Sequence, residues 1–296
     1  MSQPDLTGKG AIVTGGGSGI CLSFVKHLYQ AGSNVLICDI ALHHEATAWL
    51  DSIKSSGTNG SAHARIVFSK TDVTDWKQLE RAFDVYSQEF GGLPHVLCPG
   101  AGVYEPSVSN FWNDKDDSFY KILRINLEHP IKMSRIAIRK WVQAKQPGRV
   151  VLVSSTGAQK SSILTPLYGA AKQGISNFAR CMGQLQSMEG IRVVAVAPGP
   201  TMSPLMYDHP EAIRFVDPEK DKLSSPDEIG RGMMAVCFDD QKFPAGTVLE
   251  VTHPDRWREV FLLNDPGPAA HAFTSRKEDA IVDIIAALDN DRRSVA

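Results

Sequence analysis

The chain has 296 residues, with 31 Lys and Arg against 33 Asp and Glu for a formal net charge of −2, and 43% hydrophobic content. That composition supplies a sizeable core and excludes a disordered or disulfide-stapled chain; the near-balanced charge carries no global signature of a nucleic-acid or anionic-membrane partner. Dividing the length by about 150 residues per domain sets a starting expectation of roughly two domains.

Short β-branched runs alternate with longer helical segments. Residues 11–14 read as an apolar strand that runs into glycines, and residues 21–30 as an amphipathic helix. Residues 34–38 are the next strand and 43–54 the next helix, followed by a Gly/Ser/Asn-rich surface loop over 55–62. Residues 65–70 and 75–90 repeat the strand–helix pair, and a short strand over 95–98 leads into Pro99-Gly100-Ala101-Gly102. The charged run from Asp114 to Asp117 reads as a solvated turn.

Residues 117–144 read as one long helix with a kink at Pro130, 149–153 as a strand, and 166–188 as a second long helix. Strands over 191–197 and 247–251 close the series. Uniformly apolar strands alternating with helices predict a doubly wound, mostly parallel α/β sheet covered on both faces. No linker divides it, so the expectation becomes one domain over residues 1–251 and a C-terminal extension over 252–296. Ile281, Ile284, Ile285 and Leu288 give that extension an amphipathic helix, expected to pack on the body or on a partner subunit.

Five cysteines, Cys21, Cys38, Cys98, Cys181 and Cys237, are far apart and form no C-x-x-C pair. Reduced thiols in a cytoplasmic protein and no metal site are the expectation. The first ten residues contain no apolar signal region, and no run reaches the roughly 18 to 20 apolar residues of a membrane span. Asn59-Gly60-Ser61 is a glycosylation sequon that reads as a plain turn in this setting.

Thr14-Gly15-Gly16-Gly17-Ser18-Gly19-Ile20 lies between the first strand and first helix. Glycines there let the backbone turn tightly and approach a pyrophosphate resting on the helix N-terminus, although ordinary tight turns use glycines too. Asp39 ends the second strand 24 residues after Gly15. Its carboxylate suits the hydroxyls of an adenosine ribose and repels a 2′-phosphate, and no Arg or Lys follows to offset that. The expected cofactor is therefore NAD rather than NADP.

Tyr168 and Lys172, four residues apart, share one helix face. A phenol of ordinary pKa about 10 is a poor base until a neighbouring ammonium stabilises its phenolate. Ser155 stands 13 residues earlier at a strand end, where its hydroxyl can hold a substrate oxygen; Ser154 competes for that role.

In this ordered set the sequence resembles the classical short-chain dehydrogenases/reductases over about residues 7–251. The loop from Thr14 to Gly19, with Gly15, Gly17, Ser18 and Gly19, resembles their cofactor loop, and Asp72-Val73 their adenine-contacting pair. Pro99-Gly100-Ala101-Gly102 stands where the family has N-N-A-G, whose asparagines brace the central strand. Asn126, Ser155, Tyr168 and Lys172 match the family's catalytic tetrad. Pro198-Gly199 matches the P-G after the sixth strand, and Ser203, with Thr201 as alternative, falls where a threonine holds the nicotinamide carboxamide. Asp39 and the stretch from Gly246 to Val251 are similar to the 15-hydroxyprostaglandin dehydrogenase-like group. The departures are Cys21 in place of the loop's last glycine, Pro99 and Gly100 in place of both asparagines, and Ser203 in place of threonine.

The resemblance implies an NAD-dependent oxidoreductase interconverting a secondary alcohol and a ketone. Tyr168 would be the general acid/base, Lys172 would lower its pKa, Ser155 would hold the substrate oxygen, and Asn126 would position a water in a relay to Lys172. Met202, Leu205, Met206, Tyr207, Ile213 and Phe215, with the loop over 103–112, suggest a bulky hydrophobic substrate, or else a flap that simply packs on the body. The family's pairing through helices equivalent to 117–144 and 166–188 implies a homodimer or homotetramer. Two rivals stand beside this reading: the same cofactor serving an isomerisation, dehydration or cyclisation, and a non-catalytic dinucleotide sensor.

Overall fold

The first strand, β1 (Gly10–Thr14), is buried at all five positions, as a strand must be when both faces of its sheet are covered. In the computed structural model the described residues are 4–55, 64–105, 107–114, 119–217, 219–262 and 281–293. The sequon at Asn59 and the charged run beyond Asp114 lie outside them.

From β1 the chain continues through α1 (Gly19–Gln30), β2 (Asn34–Asp39), α2 (His44–Ser55), β3 (Ile66–Lys70), α3 (Trp76–Phe90) and β4 (Val96–Pro99). Next come α4 (Lys121–Leu123), a π-helical segment (Arg124–Glu128), α5 (His129–Ala144), β5 (Gly148–Val153), α6 (Pro166–Cys181), α7 (Leu185–Glu189) and β6 (Ile191–Pro198). The short helices α8 (Pro204–Tyr207) and α9 (Pro210–Ile213) precede α10 (Pro226–Phe238), β7 (Val248–Thr252), β8 (Arg256–Glu259) and α11 (Ile281–Arg293).

The strands form one sheet in the order β3-β2-β1-β4-β5-β6-β7-β8, parallel except where β8 runs against β7. All eight strands of the described residues lie in one sheet, in keeping with the single domain read from the unbroken strand series. Strand side chains alternate between two apolar layers. Ile12, Leu36, Leu97 and Leu152 pack against Phe83, Met133, Ile136 and Ile175 of α3, α5 and α6. Val13, Ile37, Val151 and Val196 pack against Phe24, Leu28, Ile229 and Met233 of α1 and α10. The strand order reverses between β1 and β4, which opens a crevice at the carboxyl ends of those strands.

Three sequence expectations are corrected, and the C-terminal helix packs on the body. The helix expected over 117–144 starts at Lys121, and its irregularity takes the form of a π-helical turn just before Pro130. Helical backbone continues unbroken from that turn into α5, so Pro130, with no N–H to give to the preceding turn, sits where the hydrogen-bond ladder changes pitch. The helix expected over 166–188 is interrupted at Met182–Gln184, where Gly183 lies against the Ala245–Gly246 backbone. The strand series runs on to β8, an Arg-Trp-Arg-Glu strand whose charged residues blunt a sheet edge and hide it from a search for apolar runs. Finally, α11 buries Leu288 and Asp291, while Ile281, Ile284 and Ile285 remain more than a third exposed. It docks through a bidentate Arg135–Asp291 pair at 2.7 and 3.0 Å and an Arg292–Glu189 ion pair.

Candidate active site

Gly15 sets the first wall of the crevice. Its φ is +70°, and a side chain there would lie 2.7 Å from the Ala101 Cα, so only glycine lets the two loops touch. Gly15, Ser18, Gly19 and Ile20 line a cavity of about 670 Å³ at the N-terminus of α1, which no side chain caps. Backbone donors facing an open cavity suit a phosphate. Gly17 stands behind this wall; its N–H donates to Asp39 Oδ2 at 2.9 Å, while Oδ1 accepts from Ile40 N–H at 2.7 Å. Burial raises the Asp39 pKa, and the N–H groups of Gly17, Ile40 and Ala41 pull the other way. The carboxylate is therefore held in one orientation at the far end of the cavity.

Asp72 and Val73 line the same end. Asp72 Oδ1 accepts from the Thr74 N–H and hydroxyl at 2.9 and 2.8 Å, so that carboxylate is turned onto its own loop. Gly100 and Ala101 form the floor, and Pro198 and Gly199, where β6 ends, form the opposite rim. Thr201 and Ser203 follow them into the cavity. The Thr201 hydroxyl donates to Gly199 O at 2.8 Å, whereas Ser203 packs across from Gly19.

At the deep end, β5 and α6 bring Ser155, Tyr168 and Lys172 to one wall. The two neighbouring serines separate by their partners. Ser154 is buried, donates to Lys172 O at 2.9 Å and meets Ser176 Oγ at 2.6 Å, pinning α6 to β5. Ser155 accepts from Gly157 N–H at 3.0 Å and shares a hydrogen bond with the Tyr168 phenol. Burial pushes that phenol up to about 12, against the pull of the Ser155 bond. Lys172 Nζ donates to Val153 O at 2.9 Å and lies 5.6 Å from the Tyr168 ring centre; burial brings its pKa down to about 8. Asn126 does not line the cavity. Its amide grips Val103 from behind, accepting from the Val103 N–H at 2.9 Å and donating to the Val103 carbonyl at 2.8 Å.

Of the apolar residues named for substrate, Leu205 and Met206 line the cavity together with Val103, Tyr104 and Val108 of the 103–112 loop; Ile213 does not, and Met202, Tyr207 and Phe215 are exposed. Tyr207 instead donates to Glu45 Oε1 at 3.0 Å and ties α8 to α2.

Two residues beside Tyr168 were missed by sequence reasoning. Glu105 is fully buried and accepts from the N–H groups of Phe111, Leu167 and Tyr168 at 3.2, 2.9 and 3.1 Å. It caps the helix that carries Tyr168 from a loop more than 60 residues away, and no local pattern marks it. Tyr104 sets its ring edge-on to Tyr168 with 4.9 Å between centres.

Residues 9–213 match the family model described as short chain dehydrogenase. The chain belongs to that family. A cis-4-hydroxycyclohexanecarboxylate dehydrogenase of Sinomonas cyclohexanicum is 29% identical over 81% of this chain and 94% of its own length. A galactitol 2-dehydrogenase of Agrobacterium fabrum is 27% identical over 66% and 71%. Among solved structures, a short-chain type dehydrogenase/reductase from Mycobacterium marinum superposes with a TM-score of 0.71 at 20% identity, covering 84% of this chain and 95% of that one. Levodione reductase superposes with a TM-score of 0.69 at 24% identity, covering 83% and 97%. As a short-chain dehydrogenase the protein is an oxidoreductase that binds a nicotinamide dinucleotide, and the cavity fits one: an uncapped helix end for phosphate, a carboxylate for ribose, and polar side chains at the deep end. Among the described residues, no helix is long and apolar enough to cross a membrane.

Proposed function

We propose that the protein is an NAD-dependent dehydrogenase or reductase interconverting a secondary alcohol and a ketone on a bulky hydrophobic substrate. The observation that carries this reading is one cavity wall holding the Ser155 hydroxyl, the Tyr168 phenol and the Lys172 ammonium, with Asp39 at the cavity's other end. Bound there, the nicotinamide supplies the redox equivalent and, in its oxidised form, a positive charge. Ser155 holds the substrate oxygen, and Tyr168 Oη takes its proton in the oxidative direction or returns it in the reductive one. Lys172, one helical turn away, offsets the cost of the phenolate. Asn126 keeps Val103, and with it the loop facing Lys172, in place. Leu205, Met206, Val108 and Tyr104 support an apolar substrate.

Tyr168→Phe should lower turnover by about 1,000-fold while NADH binding, followed by fluorescence, stays within about twofold. Stoichiometric NADH formation from an alcohol separates this reaction from an isomerisation or dehydration on the same cofactor. Because Tyr168 must lose its proton, oxidation should accelerate as pH rises from 7 to 10 and reduction should slow; a flat profile in both directions removes the tyrosine from the mechanism. Asp39 supports NAD over NADP through repulsion of a 2′-phosphate, so Asp39→Asn should narrow the ratio of the two kcat/KM values by about tenfold.

Homodimer or homotetramer formation is part of the proposal, supported by the exposed row Ile281, Ile284 and Ile285 on α11 and tested by light scattering. The free thiols support a reducing, cytoplasmic setting.

A further inference from the structure

The cavity floor lacks a side chain where the chain departs from its family's pattern. A methyl group on Gly100 would lie 2.4 Å from Cys21 Sγ and 3.2 Å from Cys98 Sγ. The Cys21 thiol thus takes most of the volume that a residue at position 100 would need, with Cys98 Sγ and the Thr14 carbonyl at 3.3 Å bounding the rest, and the two departures fit together. The floor is held instead from behind. Ala101 N–H donates to Thr14 Oγ1 at 3.1 Å, and Thr14 Oγ1 lies 3.1 Å from His129 Nε2. His129 Nδ1 lies 3.1 Å from Ile125 O.

Only one arrangement of protons satisfies this chain. A carbonyl can only accept, so Nδ1 carries the hydrogen and Nε2 of the neutral ring is bare. The Thr14 hydroxyl then donates to Nε2, which turns its lone pairs toward Ala101 N–H. His129 is fully buried, and that burial holds its pKa down to about 4, so the ring is neutral at physiological pH. The chain joins β1, the floor after β4, and the π-helical segment that carries Asn126.

We infer that His129 is the positioning residue that seats the floor at residues 100–102 of the dinucleotide cavity, acting through Thr14 in place of the side chain missing at Gly100. The inference rests on the dinucleotide reading of the cavity, but its first test does not.

That test is amide hydrogen exchange at Ala101 in the cofactor-free protein, followed by NADH titration. His129→Phe keeps the ring volume but removes the acceptor. It should speed exchange at Ala101 and weaken NADH by about tenfold each, the effect of about one buried hydrogen bond. His129→Gln offers an amide oxygen and an amide donor to the same partners and should stay near wild type. Thr14→Val, which removes the hydroxyl without emptying the site, should match His129→Phe, and the double variant should be no worse than either. Cys21→Gly with Gly100→Asn, added to His129→Phe, should restore NADH binding, because the floor then carries its own side chain.

Unchanged Ala101 exchange in a folded His129→Phe protein overturns the inference. So does a His129→Gln loss equal to that of His129→Phe, additive losses with Thr14→Val, or a failure of the Cys21/Gly100 exchange to restore binding. If wild-type protein binds no NADH, the dinucleotide reading fails, and Ala101 exchange alone still decides whether His129 seats the floor.

Discussion

The two ends of the cavity are built differently. At the dinucleotide end, the wall is backbone: Gly15 against Ala101, Gly17 N–H on Asp39, and strand ends fixed by parallel pairing. At the substrate end it is side chain: Leu205 and Met206 on a four-residue helix, with Phe215 and Met202 exposed beside them. A backbone wall tolerates almost no change because a collision there cannot rotate away, whereas a wall of flexible side chains can repack. On the proposed function, recognition of the common cofactor sits on rigid elements and choice of substrate on adaptable ones.

Substitutions can break or sharpen that contrast. The largest effect is expected at Gly15: Gly15→Val combines a left-handed backbone with a collision against Ala101 and should weaken NADH by at least about 100-fold. Binding within a few-fold of wild type would mean that the dinucleotide end is not rigid. Glu105→Ala comes next. It leaves the Leu167 and Tyr168 N–H groups without their buried acceptor, at a cost of about 1–3 kcal/mol. Turnover should fall about tenfold as Tyr168 shifts, with NADH binding almost unchanged; equal losses of both would join the two ends into one unit. The smallest effects belong to the substrate end. Met206→Ala should raise KM for a bulky hydrophobic alcohol about fivefold, and Phe215→Ala less than about twofold. The reverse order would move the substrate out onto the exposed face.

The glycine loop, Asp39 and the Ser155–Tyr168–Lys172 set were legible in the sequence because each is defined by short spacing on one element or by a strand end. Asn126 was legible by position, but its grip on Val103 was not, since that pairing joins residues 23 apart across a loop. Glu105 and His129 left no trace: each meets partners from distant elements, His129 reaching Thr14 across 115 residues. The edge strand β8 and the π-helical turn were missed for a related reason. The first pairs by backbone bonds beneath charged side chains, and the second is a change of helical pitch inside an ordinary helical pattern.

The sequence by itself determined the doubly wound class and the order of the chemical groups, because apolar periodicity and residue spacing are local properties. Only the tertiary structure decided which of two adjacent serines is tied to α6 and which meets the Tyr168 phenol, how Cys21 and Gly100 share one volume, and which distant groups join Ala101 N–H to Thr14 and His129. Those outcomes depend on which strands and helices meet, and packing fills each space once.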